Sequence, residues 1–330
     1  MEQFIATLLA NPITLGLVIV LGFVILLLGA EGLVDGASSL AKRLGVSDLM
    51  IGLTIVAFGT SMPEFVVNMF SVANNATDLA ITNILGSNII NTLVILGCSA
   101  LVYPIAVQRN TIRFELPMNI LAGALVFLFV YLTAATATAR TLSRLEGMAL
   151  LLVFAGFLFY SISTAKDDAQ TTTSATFPIW KCIVFIVLGL AGLVLGGEMI
   201  VRGATTVAQR LGIAESVIGL TVVALGTSLP ELATSVIAAF KRNSDIAIGN
   251  VVGSNIFNIL FVLGIGSVLV DVPVSDSLLI FHLPVMLLLS VVMFLMVRFR
   301  NKIDRKSGVV LVAIYAAYVA IIAMVPDLML

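Results

Sequence analysis

Shifted by 167 residues, the chain overlies itself. Residues 28–97 align with 195–264 without a gap, and about half of the positions are identical. The shift superposes Glu31 on Glu198 and Glu64 on Glu231, Gly86-Ser87-Asn88 on Gly253-Ser254-Asn255, and Asn91 on Asn258. The best-kept stretch is AFGTSMPE at 57–64 and ALGTSLPE at 224–231, each inside a long apolar segment and each ending in a carboxylate. A duplication this regular restricts the fold to two related units. An acid in the middle of an apolar segment also demands a physical reason, because a charge at mid-membrane costs roughly 2.5–3.5 kcal/mol even on insertion scales.

That apolar segments of this kind cross a bilayer follows from composition. The 330 residues are 60% hydrophobic and 11% charged, with a mean hydropathy of +1.17, whereas a soluble domain carries about 25% charged residues. The expected fold class is therefore an all-α polytopic membrane protein. Ten spans are read near 13–41, 49–73, 80–104, 114–134, 146–164, 180–208, 216–240, 247–270, 278–298 and 308–326, each about 20 residues or more, the length a helix needs to cross ~30 Å. Residues 1–164 form a first five-helix repeat, 165–179 a polar, Thr-rich cytoplasmic linker, and 180–330 a second repeat. Five is odd, so the second copy enters the membrane in the opposite sense. Such inverted repeats, with broken helices at the midplane, are a transporter architecture with the site between the repeats.

Lys and Arg placement sets the orientation. With ten spans, the loops on the side away from the N-terminus hold thirteen basic residues and the other side four. Both termini are thus expected outside the cytoplasm, in a multi-pass cell-membrane protein. The N-terminus lacks the positive region of a cleaved signal peptide. A net charge of −1 points to no nucleic-acid partner. Cys98 and Cys182 lie in different spans and offer neither a disulfide framework nor metal spacing. No soluble cofactor and no protein partner is read from the chain.

The candidate site follows from helical spacing. Ala57, Thr60, Ser61, Glu64 and Asn68 recur at i+3 and i+4, as do Ala224, Thr227, Ser228, Glu231 and Ser235, so each set shares one face. Pro63 and Pro230 remove the backbone donors that would meet the Gly59 and Gly226 carbonyls. Free carbonyls at membrane depth are tolerated where they line a cavity or bind something. Ser87 with Asn91, and Ser254 with Asn258, are again i and i+4. Carbonyl, hydroxyl, amide and carboxylate oxygens form a hard-oxygen set suited to Ca²⁺, Na⁺ or Mg²⁺. Glu64 and Glu231 are expected to face each other across the pseudo-two-fold axis.

Each residue also has a plainer reading. A lone hydroxyl in a membrane helix usually bonds its own backbone or a neighbouring helix; the repeat and the adjacent acids weigh against that for the whole set. Asn88 and Asn255 read equally as caps of unwound backbone and as ion contacts. Glu31 and Glu198 have no hydroxyl cluster and read as packing or gating residues, and His282, the only histidine, as a packed residue of the ninth span. Asp35 and Arg202 are repeat-equivalent and are not expected to pair.

GTSxPE followed by GSNxxN, present in both halves, resembles the α-repeats of the calcium/cation antiporter superfamily, and most of all its prokaryotic sodium/calcium exchangers. The resemblance spans nearly the whole chain. It implies antiport of Na⁺ against Ca²⁺ by alternating access, with the long first and sixth helices sliding against an eight-helix core. It also implies that Glu64 and Glu231 are the central Ca²⁺ ligands, shared with Na⁺. Thr60, Ser61, Thr227 and Ser228 would add oxygens, Ala57 and Ala224 carbonyls, and Ser87, Ser254, Asn91 and Asn258 would complete the sites. Some relatives, the potassium-dependent branch among them, carry Asp where this chain has Asn258, which argues against potassium cotransport. An H⁺-coupled or broader divalent-cation exchanger of the same fold is the alternative. An intramembrane enzyme is disfavoured because HExxH, GxSxG and GxGD are all absent, and a channel because inverted repeats with discontinuous helices favour alternating access.

Overall fold

A computed structural model describes residues 11–74, 76–136, 140–164, 177–211 and 224–325. The first repeat opens with α1, Pro12–Leu44, the longest of the described helices. Its first turn is capped by Asn11, whose side chain accepts from the Ile13 amide at 2.9 Å, with Pro12 where no donor is needed. It ends at Gly45, whose φ of +65° is open to glycine at no steric cost, so that the chain turns into the next helix. Next come α2, Asp48–Thr60, and α3, Met62–Ala73, which meet at Ser61 with a 46° bend. The bend falls where Pro63, in the first turn of α3, interrupts the backbone ladder. Helix α4 runs through Thr77–Ile90, a π-helical turn Asn91–Ile95 and Leu96–Val102. Helix α5 comprises Thr111–Glu115 and Leu116–Thr136, and α6 is Arg144–Thr164.

The second half repeats the plan. It consists of α7, Ile179–Arg210; α8, Ala224–Thr227; α9, Leu229–Phe240; α10, Ser244–Leu269; α11, Leu278–Arg300; and α12, Arg305–Met324. The wide turns at Asn91–Ile95 and Thr111–Glu115 recur at Phe257–Val262 and Leu278–His282. The short strand β1, Ile105–Ala106, recurs as β3, Val272–Pro273. The pairing crosses between halves: β1 pairs antiparallel with β4, Lys302–Ile303, and β2, Thr141–Leu142, with β3. In each pair the two strands lie in loops expected on the same face of the membrane.

Among the described residues, eight helices are long and apolar enough to cross a bilayer, and the bent pair α2–α3 makes a ninth. The expected span at 216–240 falls partly outside the described residues, which contain its α8 and α9 portions. The expected linker at 165–179 lies outside them up to residue 176, as do the first ten residues.

Burial separates centre from rim. Along their spanning windows α4 and α10 are 78% and 83% buried, whereas α1 is 28% and α7 33%. Ile13, Leu17 and Leu28 on α1, and Trp180, Val187 and Leu188 on α7, present apolar surface outward, as lipid-facing positions should. The two long helices pack against each other antiparallel through glycine. A Cβ on Gly29 would stand 2.8 Å from the Gly189 carbonyl oxygen, one on Gly196 2.6 Å from that of Gly22, and one on Gly36 2.9 Å from that of Cys182. Small residues thus let two backbones touch where lipid gives no hydrophobic drive to associate. In the core, α10 lies on α2 in the same manner, with a Cβ on Gly253 meeting the Leu53 carbonyl oxygen at 2.7 Å.

At the end of the molecule holding the α1–α2 and α9–α10 turns, polar side chains join the halves around a cavity of about 930 Å³ lined by Asp35, Ser38, Asp48, Tyr103, Gln108 and Lys241 among others. Lys241 pairs with Asp35 at 2.5 Å and Glu31 at 3.6 Å. Asn243 donates to Asp48 at 2.7 Å, and Gln108 to Asp245 at 2.7 Å.

The glycine contacts between α1 and α7 predict that Gly29→Leu lowers stability by about 1–3 kcal/mol through overpacking, read as a drop in thermal midpoint in detergent. Gly16→Ala, at a site with nothing within 4 Å of the added carbon, should leave the midpoint unchanged or raise it. Equal midpoints for Gly29→Leu and the parent protein would refute the close approach.

Candidate cation site

The faces expected from spacing are the buried faces. Ala57, Thr60, Ser61, Glu64 and Asn68 are all buried, while Phe58, Val66, Val67 and Phe70 on the other side are exposed. In the second copy Ser228, Glu231 and Ser235 are buried and Thr227 is half-buried. Ser87, Asn91, Ser254 and Asn258 are buried as well. Apart from Ala224, of which only the backbone is described, every candidate lies in the central belt formed by α2–α3, α4, α8–α9 and α10.

The two copies are stitched across the repeat. Ser61 Oγ donates to Glu231 Oε1 at 2.8 Å, and its counterpart Ser228 Oγ donates to Glu64 Oε1 at 3.3 Å. Asn91 Nδ2 donates to Asn255 Oδ1 at 3.0 Å, and its counterpart Asn258 Nδ2 to Asn88 Oδ1 at 3.3 Å. Each bond has a partner displaced by 167 at both ends, so the two halves meet around an approximate two-fold relation at this belt. Ser61 also contacts Ser254 Oγ at 2.9 Å, and Thr60 Oγ1 reaches the Ala57 carbonyl oxygen at 3.3 Å.

What the belt leaves over is as informative as what it pairs. Glu64 Oε2, Glu231 Oε2, Asn91 Oδ1, Asn258 Oδ1 and Ser87 Oγ are buried side-chain oxygens without a hydrogen-bond partner among the described residues. Leaving a buried acceptor unpaired costs about 1–3 kcal/mol, more for a charged group. These five belong to the set expected from the sequence; Asn68 Oδ1, Ser99 Oγ and Thr234 Oγ1 on the same helices lack a partner among the described residues as well. Each of the five can face a cation with a lone pair, and the two carboxylates supply the negative charge. Among the described residues no group of three or more His, Cys, Asp and Glu side chains converges. The belt therefore suits hard, oxygen-loving cations and offers no soft or imidazole ligands.

Glu198, Asp35 and His282 fall outside the belt. Glu198 pairs with Arg202 one turn along its own helix at 2.5 Å, and Asp35 with Lys241, so Asp35 and Arg202 do not meet. His282 is fully buried and its Nδ1 lies 2.8 Å from the Tyr318 hydroxyl, the packed position expected of it. Asn88 and Asn255 bridge the copies: Asn88 Nδ2 donates to the Asn255 carbonyl oxygen at 3.2 Å, and Asn255 Nδ2 to Thr92 Oγ1 at 3.1 Å. Sequence reasoning passed over Asn250. Its Oδ1 accepts from Thr60 Oγ1 at 3.0 Å and its Nδ2 donates to Ser235 Oγ at 2.9 Å and to the Glu231 carbonyl oxygen at 3.3 Å. The signal was present: Asn250 precedes Ser254 by one turn and repeats as Asn83.

A model of the family described as sodium/calcium exchanger protein matches residues 14–163 and 181–324. The chain is 42% identical over 260 residues to the putative antiporter CaxA of Alkalimonas amylolytica, covering 76% of this chain and 79% of that one. It is 31% identical over 341 residues to the sodium/calcium exchanger MaX1 of Methanosarcina acetivorans, covering 93% and 97%. Solved structures of the sodium-calcium exchanger NCX_Mj superpose with a TM-score of 0.77 at 32% identity, covering 93% of this chain and 98% of that chain.

The asparagine bridge predicts that Asn255→Ala, which strands the Asn91 amide donor, costs about 1–3 kcal/mol of stability, measured as a lower thermal midpoint. Asn74→Ala, at an exposed helix end, should fall within about 0.5 kcal/mol of the parent. If both variants melt with the parent, the amides are not paired across the copies.

Proposed function

Since the chain belongs to the sodium/calcium exchanger protein family, we propose that it is a secondary active antiporter that exchanges Na⁺ for Ca²⁺ by alternating access. The observation that carries this reading is the five unpaired buried oxygens, two of them on carboxylates, gathered where the two copies meet. Two carboxylates balance one Ca²⁺, so a calcium ion enters the belt without leaving net charge in a low-dielectric medium. Sodium, also a hard cation, uses the same oxygens, and competition between the two ions couples their movements.

Glu64 and Glu231 are the central ligands in this reading. Ser61, Ser228, Thr60 and Thr227 supply hydroxyl oxygens, and Ala57 and Ala224 backbone carbonyls. Ser87, Ser254, Asn91 and Asn258 close the belt on the sides formed by α4 and α10. The fold is ten transmembrane helices in two inverted repeats, 1–164 and 180–330, joined by a cytoplasmic linker at 165–179. The helices lie in the cell membrane with both termini outside the cytoplasm, as the excess of Lys and Arg on the other side favours. The glycine-lined pair α1 and α7 is the natural moving part. It is tightly bound to itself, largely lipid-facing, and contacts the belt where Leu190 lies over Gly59. Sliding of this pair exposes the ions to one face and then the other.

In proteoliposomes Glu64→Gln and Glu231→Gln should each abolish sodium-driven ⁴⁵Ca²⁺ uptake, a loss of at least about a hundredfold, while the protein still inserts. Each removes one of two charges that would otherwise be realised only against the ion. Normal transport by either variant would remove it from the site. Asn258→Asp adds a third carboxylate to the belt and should change the cation preference of a folded protein; an unchanged ion profile would place Asn258 outside the ligand shell.

A further inference from the structure

The belt departs from its own symmetry in one consistent way. Around Glu231 one carboxylate oxygen and the neighbouring serines and amide are hydrogen-bonded. Ser61 bridges Glu231 and Ser254, while Asn250 holds Thr60 of the first copy, Ser235 of the second and the Glu231 backbone carbonyl. The counterparts 167 residues earlier are Glu64, Ser87, Asn83 and Asn68. There Ser228 and Thr227 lie at the carboxylate, Ser228 at a longer 3.3 Å. Ser87 Oγ, the Asn83 amide nitrogen and Asn68 Oδ1 are buried without a partner among the described residues, and Asn68 turns its own amide to the Ala80 carbonyl oxygen at 2.8 Å. Asn83 Nδ2 is a donor in want of an acceptor, and Asn68 Oδ1 an acceptor in want of a donor. Their equivalents Asn250 and Ser235 are bonded to each other.

We propose that Asn250 and Asn83 are alternating positioning residues: each ties its own copy's acidic helix to the rest of the belt in one access state, and in the conformation described here Asn250 is engaged and Asn83 is released. The inference rests on the antiport reading above. In a pair of related repeats, the opposite-facing state is reached by exchanging the conformations of the two copies. The bonds that close one half in one state then belong to the other half in the other state. Asn83 would donate to Asn68 as Asn250 now donates to Ser235, and Asn250 would let go of Thr60. Neither amide needs to touch an ion. Each acts through the hydroxyl and carboxylate helices that it holds, so its removal changes the balance between the two states.

That balance has a signature that loss of packing lacks. Destabilising one state raises the apparent KM for Ca²⁺ on the face that state opens to and lowers it on the other face. The test is ⁴⁵Ca²⁺ exchange in proteoliposomes of defined orientation, with KM measured separately at each face for the parent, Asn250→Ala and Asn83→Ala. Opposite shifts are expected, about fivefold to tenfold in the ratio of the two KM values, with Asn250→Ala moving it one way and Asn83→Ala the other. Asn83→Ala deletes an amide donor that makes no bond in this conformation, so it keeps the test decisive should Asn250→Ala fail to fold. Shifts in the same direction, or KM ratios equal to that of the parent, would overturn the proposal while leaving antiport intact. A parent protein that exchanges no calcium would overturn the antiport reading and this inference together.

Discussion

Two carboxylates, each sharing one oxygen with a serine of the opposite copy, set the terms for the rest of the molecule. Glu64 and Glu231 are buried at the join between halves, and one oxygen of each has no partner among the described residues. A bilayer offers no water to repay such groups, so the chain must gather its polar side chains into one belt and seal that belt from lipid. Both features are present. Helices α4 and α10, which carry Ser87, Asn91, Ser254 and Asn258, are the most buried of the described spans, and the outward surface of α1 and α7 is apolar. Glycine makes the sealing geometrically feasible, because Gly249 and Gly253 bring the α10 backbone onto α2 with no side chain between.

The same economy of contact links site and rim. Gly59 adjoins Thr60 and lies directly under Leu190 of α7, where a Cβ would come within 2.5 Å of the leucine methyl. Any movement of the long helix pair would therefore be felt one residue from the belt. At one end of the molecule Lys241 ties α9 to Asp35 and Glu31 on α1, while the repeat counterparts differ: Asn74 caps its own helix and Arg202 folds back on Glu198. The halves are thus alike in backbone plan and unlike in how firmly each holds the rim.

Much of this was legible in the sequence. Pro63 announced the break at Ser61, because the missing donor interrupts the ladder wherever the residue sits. The i+3 and i+4 spacing of hydroxyls and acids named the buried face of α2–α3, and the doubled motif named its counterpart. The wide turns at Asn91–Ile95 and Phe257–Val262 were not legible. A shift of one hydrogen-bond register inside a helix comes from packing against neighbours and has no residue signature. The two-residue strands were missed because each is made only by its partner in the other half. Asn250 was missed because an asparagine in an apolar run reads as helix-to-helix glue until its bonds to Thr60 and Glu231 are seen. Lys241 could be counted as a loop charge, but its choice of Asp35 depends on where α1 passes.

The central claim is that sodium and calcium compete for one set of buried oxygens. It is tested most directly by ⁴⁵Ca²⁺ flux through the unaltered protein in proteoliposomes, with sodium, potassium and proton gradients imposed one at a time. The account predicts calcium movement against an opposing sodium gradient and none with potassium or protons alone. Calcium uptake driven by a pH gradient in the complete absence of sodium would contradict it.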